Sequence, residues 1–249
     1  MLMIFLAIKN KMQFKSIWAN KKQRYALLTT SILIGTNWGV FIYAVNSNNI
    51  VQAGLGYYIT PLINMFLGIV ILKEKLTKTK SIALILVTCA ILFLTLSVGE
   101  FPIISFILAF SFGFYGLIKK TTRVETLPSL AFETTVLLPL AIVYQIFSWQ
   151  STPNPISSLD ITSVLLLIGT GIITILPLYW FTKGAKLINL TTVGFFQYVA
   201  PTIMLLIGIF IYDESFKKNE VIAFSIIWVA ISIYVYSLIK ELKKSKQTS

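Results

Sequence analysis

The chain has 249 residues, 56% of them hydrophobic and 12% charged, with a mean hydropathy of +0.82 and a formal net charge of +12. That balance excludes a soluble globular domain, and it excludes nucleic acid as a partner because the cations fall in short clusters between apolar runs. One cysteine, Cys89, and no histidine leave no disulfide framework and none of the usual zinc spacings, so neither a metal nor a cofactor is expected.

The first eight residues, MLMIFLAI, read as the end of a helix whose beginning is missing, or as an apolar terminus lying in the membrane interface; no cleavable signal peptide is evident. Eight apolar stretches follow, at 25–46, 50–72, 82–97, 102–118, 129–147, 161–182, 190–212 and 221–239. A helix crosses the ~30 Å hydrocarbon core in about 20 residues at ~1.5 Å each, and these stretches reach or approach that length. The fold expected is all-α and integral to the membrane, a polytopic bundle of eight full transmembrane helices plus an N-terminal partial helix.

Lys and Arg are retained on the cytoplasmic side of a membrane. Placing alternate links on one side gathers 19 of the 21 cations there, from Lys9–Arg24, Lys73–Lys80, Lys119–Arg123, Lys183 with Lys186, and the tail from Lys240. Only Lys217 and Lys218 fall opposite, so both termini are expected in the cytoplasm. The clusters around Lys21 and Lys244 read as topology anchors, with anionic membrane lipid as a lesser contact.

The stretch GLGYYITPLINMFLGIVILKE, 54–74, returns as GFFQYVAPTIMLLIGIFIYDE, 194–214, at a constant offset of 140. Gly54/Gly194, Tyr58/Tyr198, Pro61/Pro201, Gly68/Gly208 and Glu74/Glu214 coincide, and the match continues through Ala83/Ala223 and Ala90/Ala230. The two copies run in opposite directions through the membrane, which makes the repeat inverted. Residues 1–98 then form an incomplete first repeat, and 99–249 a second repeat of five helices with a basic cytoplasmic tail. Inverted repeats of this kind belong mainly to secondary transporters, with a site near the bilayer midplane.

Candidate residues follow from that plan. Pro61 and Pro201 each remove an amide hydrogen and free the carbonyl four residues earlier, those of Tyr57 and Gln197, so each copy reads as a spanning helix broken at its middle. Tyr57, Thr60, Asn64 and Gln197 gather polar groups there for a substrate; the alternative is a simple kink whose neighbours satisfy each other. Gly54 and Gly68 read as a close-packing seam. Asn37, Trp38, Tyr115, Trp180 and Tyr198 could line an aromatic cavity for a flat or cationic solute, or sit at the membrane interface. Glu133, the carboxylate inside a span, is a coupling-proton candidate or a helix-end acid held by the macrodipole. Glu74 and Glu214 each precede a lysine by four residues, the spacing of an ordinary helical ion pair. Nothing resembles a phosphate-cradling loop or a nucleophile with its base, so an enzyme is not expected, and a membrane-embedded one would need clustered carboxylates or histidines.

Five runs carry a family resemblance: NWGVFIYAVN (37–46), GLGYYITPLINMFLG (54–68), LAFSFGFYGLIKK (108–120), ETTVLLPLA (133–141) and GFFQYVAPTIMLLIG (194–208). From about Trp18 to Ile239 the chain resembles the RarD branch of the EamA-type drug/metabolite transporter superfamily. That resemblance implies a ten-helix inner-membrane carrier of two inverted five-helix halves, of a kind often labelled chloramphenicol-sensitivity proteins; against that pattern the first helix and most of the second are lacking. The expected function is a secondary transporter moving a small metabolite or drug-like solute across the bacterial inner membrane by alternating access. A non-transporting remnant or a partner subunit is the alternative. The partners implied are a small-molecule substrate and membrane lipid, with a homodimer left open.

Overall fold

The computed structural model describes residues 17–47, 49–97, 101–151, 160–212 and 218–247. Expectations that fall on Met1–Ile8, Lys217 and Glu214 therefore lie outside the described residues. The described helices are α1 (Lys21–Asn46), α2 (Ile50–Val70), α3 (Lys78–Ser97), α4 (Ile103–Thr121), α5 (Thr126–Ser151), α6 (Ile161–Leu187), α7 (Leu190–Gln197), α8 (Val199–Tyr212) and α9 (Lys218–Gln247). Seven of them, α1 to α6 and α9, are long and apolar enough to cross a membrane. Helix is the form such runs must take, because lipid offers no partner to an open backbone N–H or C=O.

The stretch 190–212 differs from the single span expected, since it is divided between α7 and α8 at Tyr198. Its proline is compatible with the division. Pro201 falls in the first turn of α8, where an N–H would have no acceptor in any case. In the other copy Pro61 lies well inside α2, which runs through it unbroken and loses one rung of its ladder. The expected pair of mid-helix breaks is thus replaced by one break, three residues before the second proline.

The described residues form two compact units: one takes residues up to Thr36 with Ile118–Leu187, the other Asn37–Leu117 with the chain from Ile188 onward. In the first, Ile17 and Leu27 pack with Val124 and Phe132, and Leu130 and Ala131 of α5 meet Ile175, Leu178 and Tyr179 of α6. Asp160 accepts the backbone N–H of Ser163 at 3.3 Å and so caps the start of α6, and hydrogen bonds from Ser163, its side chain first and then its backbone, hold the carboxyl below the usual range.

The second unit is built on two helix pairs, α2 against α7 and α3 against α9. Ala83 and Ala90 of α3 and Ala223 and Ala230 of α9 are all fully buried in one core with Val87 and Ile227. Small side chains let two helices approach closely in lipid, where packing rather than water drives association. The Lys80–Glu241 ion pair at 2.6 Å closes the seam, and Phe195 of α7 stacks on Tyr234 of α9 at 3.7 Å. The outward faces are apolar, with Leu165, Leu166, Leu167 and Ile168 of α6 all more than half exposed. The protein is an all-helical, multi-pass membrane protein.

Candidate functional site

The contact between α2 and α7 begins at a glycine. A Cβ on Gly194 would stand 2.6 Å from the Pro61 carbonyl oxygen and 2.6 Å from Met65 Cγ, so only a residue without a side chain lets α7 lie this close to α2. Close approach brings two amides together: Asn64 Nδ2 donates to Gln197 Oε1 at 2.6 Å. Asn64 is fully buried, and its Oδ1 accepts no hydrogen bond among the described residues. Buried polar atoms are nearly always paired, and an exception calls for a reason. By residue count at ~1.5 Å per residue, Asn64 lies ~9 Å from the Val70 end of α2 and Gln197 ~10 Å from the start of α7.

The other residues expected near Pro61 are placed differently. Thr60 is buried and spends its hydroxyl on the Gly56 carbonyl at 2.7 Å. Tyr57 is 45% exposed, edge-on to Phe41. Tyr198 is buried at the helix break and donates its hydroxyl to the Tyr58 carbonyl at 3.1 Å, joining two positions related by the 140-residue offset. Pro201 is buried. Of the glycine seam, Gly68 meets neighbours while Gly54 has nothing within 4 Å.

Asn37 forms a second polar point in the same unit, donating from Nδ2 to the Leu108 carbonyl at 2.9 Å and to Ser111 Oγ at 3.0 Å. Tyr115 is fully buried against the Phe112 ring, whereas Trp38 is 40% exposed. Gln52, passed over in the sequence, ties α2 to α4: its Oε1 accepts from Ile104 N and its carbonyl from Ser105 Oγ. A polar residue in the first turn of an otherwise apolar helix was the available signal.

Glu74 makes no helical pair with Lys78, because α2 has ended at Val70. Lys73 takes a left-handed φ of 55° and turns the chain back. The carboxylate then accepts Leu190 N at 2.7 Å, Thr191 N at 2.9 Å and Thr191 Oγ1 at 2.5 Å, satisfying amides that open α7. Gly68 makes room for this contact, since a Cβ there would stand 2.7 Å from Glu74 Oε2.

In the unit containing α5 and α6, Glu133 is buried with a partner the sequence reading had counted among the loop cations. Lys119 Nζ lies 2.7 Å from Glu133 Oε1, with both side chains almost wholly buried. Thr30 donates to the same oxygen at 2.5 Å, and Lys119 donates to Ser129 Oγ at 2.6 Å. Helix α4 extends to Thr121, so Lys119 belongs to its last turn and faces inward, while Lys120 bonds the Ala185 carbonyl. Trp180 belongs to this unit as well, 63% exposed, beside Tyr179 and under the Lys183 ammonium.

Comparison with known proteins agrees with this architecture. The EamA-like transporter family profile matches residues 1–96 and 102–236. The chain is 41% identical over 221 residues to the uncharacterized transporter YojE of Bacillus subtilis, a match covering 89% of this chain and 74% of that one. It is 38% identical over 225 residues to Protein RarD of Escherichia coli (90% and 76% covered) and 37% identical over 232 residues to Protein RarD of Salmonella typhi (93% and 79% covered). With its spans, its paired helices and these matches together, the chain belongs to the EamA-like transporter family, and within it to the RarD type.

Proposed function

We propose that the protein is a secondary transporter that carries a small metabolite or drug-like solute across the bacterial inner membrane by alternating access, with both termini in the cytoplasm and two inverted repeats as its moving halves. The observation that carries the reading is the buried Asn64–Gln197 pair, whose open Asn64 Oδ1 lies between helices related by the repeat. A solute donor would complete that acceptor, and a pair of amides suits a neutral or zwitterionic solute with N–H or O–H groups better than an anion. The pairing of α2 with α7 and α3 with α9 supports the inverted halves, because these are the helices that the offset of 140 equates. In this reading Asn37 and Tyr115 shape the same unit's interior, and the Glu133–Lys119 pair is the candidate for proton coupling.

The test needs no knowledge of the solute. In a Cys89→Ser background, Gln197→Cys should react with a membrane-impermeant maleimide in both right-side-out and inside-out vesicles, since an alternating site meets each aqueous phase in turn. Labelling from one side alone, or from neither, would overturn the reading.

A further inference from the structure

The ends of α4, α5 and α6 border an open hollow of about 580 Å³, inside the ~300–1,000 Å³ range of ligand pockets. Its lining is unusual in charge. Lys120 comes from α4, Arg123 and Glu125 from the link, and Lys183 and Lys186 from α6, so four cations share the hollow with one carboxylate. Retention of positive charge on one side of a membrane asks only that cations lie in this link; it does not ask that three separate segments aim them at one cavity.

Two of the four are fixed in place. Lys120 donates to the Ala185 carbonyl at 3.0 Å and Lys186 to the Val124 carbonyl, which ties the link to α6 and keeps both ammoniums at the wall. Lys183 lies 5.8 Å from the Tyr179 ring and 5.6 Å from that of Trp180, and Tyr179 supplies the apolar side of the hollow. Arg123 is exposed at the rim, where a guanidinium presents a planar fork matched to phosphate oxygens. The start of α5 opens here as well: Thr126 and Leu127 line the hollow, and first-turn amides add partial positive charge. Four cations against one carboxylate leave the lining net positive, a charge balance that favours an anion.

We propose that this hollow binds a phosphate-bearing anion, either the headgroup of an anionic phospholipid or a soluble phosphate ester. All three contributing helices end here, which sets the hollow at headgroup depth, and basic pockets at helix ends are recognised lipid sites. The inference stands apart from the solute site and holds whether or not the protein transports.

The test uses the full-length protein in detergent. Retention of phosphatidylglycerol against phosphatidylcholine is read by native mass spectrometry, and binding of glycerol 3-phosphate by calorimetry. Wild-type protein should retain phosphatidylglycerol, or bind glycerol 3-phosphate, with an affinity that falls as salt rises. Arg123→Gln and Lys183→Gln should each weaken it about fivefold, and the double variant more than tenfold, while Lys183→Arg retains most of it and Arg123→Lys, which keeps the charge but not the fork, falls between wild type and Arg123→Gln. Phosphatidylglycerol alone identifies a lipid site; glycerol 3-phosphate alone identifies a soluble ligand. Should the double variant lose helix, the salt dependence and the charge-keeping variants still decide. Wild-type binding of neither probe, binding indifferent to salt, or equal binding by the folded double variant would overturn the proposal.

Discussion

Replacing Glu133 by Gln removes one member of a buried ion pair and leaves the Lys119 ammonium facing a neutral amide. Lys119 and Glu133 are almost fully inaccessible, and two of their further contacts, from Lys119 Nζ to Ser129 Oγ and from Thr30 Oγ1 to Glu133 Oε1, involve neutral hydroxyls. Breaking such a pair from one side costs ~3–5 kcal/mol, because the surviving charge is uncompensated, whereas replacing both members by apolar residues is often neutral or stabilising by ~1–4 kcal/mol. The expectation is therefore strongly non-additive: Glu133→Gln, Glu133→Leu and Lys119→Met each destabilise by ~3 kcal/mol or more, and Lys119→Met with Glu133→Leu restores most of the loss. Reversible denaturation in mixed detergent, followed by far-ultraviolet circular dichroism, gives the double-mutant cycle directly. A single-variant cost below ~1 kcal/mol, or a double variant whose loss equals the sum of the singles, would refute the reasoning. The outcome also governs the coupling question, since loss of pH-driven uptake in Glu133→Gln identifies a coupling proton only in protein that remains folded.

Two further predictions test close contacts in the other unit. Glu74→Ala strips the acceptor from Leu190 N and Thr191 N and should cost ~1–3 kcal/mol, seen as faster hydrogen exchange at those two amides; unchanged exchange would show that the carboxylate is not their partner. Gly194→Ala places a Cβ against the Pro61 carbonyl and should cost ~1–3 kcal/mol by overpacking, whereas Gly54→Ala, with nothing within 4 Å, should be neutral or stabilise the helix by up to ~1 kcal/mol. Equal effects in a thermal unfolding assay would mean that α7 does not depend on that close approach.

The spans were legible because an apolar run of about 20 residues has one low-energy form in lipid. Ala83, Ala90, Ala223 and Ala230 were visible as an offset match, and they are the residues on which α3 and α9 pack. What escaped the sequence depends on where each element stops. Three more residues on α4 turn Lys119 from a loop cation into the buried partner of Glu133. Two fewer on α2 release Glu74 from its helical neighbour to reach the start of α7. The two prolines look equivalent as letters, yet Pro61 is carried inside a helix and Pro201 begins one. Asn64 and Gln197 were expected together for the carbonyls the prolines free; the contact they make runs instead through Gly194, whose missing side chain admits the approach.

Polar residues inside these spans differ in how far they can satisfy themselves. Thr29, Ser31, Thr88, Thr95 and Ser232 each donate a hydroxyl to the carbonyl four residues earlier on their own helix, so they ask nothing of a partner or solute. Amides cannot close that bond so easily and must look across to another element, as Gln52 and Asn37 do. Asn64 does so with one end only, because its Nδ2 has Gln197 and its Oδ1 has nothing among the described residues. A purely structural pair would be dispensable as a pair: replacing both partners by apolar groups of similar shape is nearly neutral, since no orphaned atom remains. Asn64→Leu alone should cost ~1–3 kcal/mol by orphaning Gln197, and Asn64→Leu with Gln197→Leu should recover wild-type stability. Function must then divide the two readings. If the amides bind solute, the stable double variant loses gradient-driven uptake, in proteoliposomes, of a solute that the wild-type protein transports; uptake at the wild-type rate by that variant would make the pair a packing detail and move the site elsewhere.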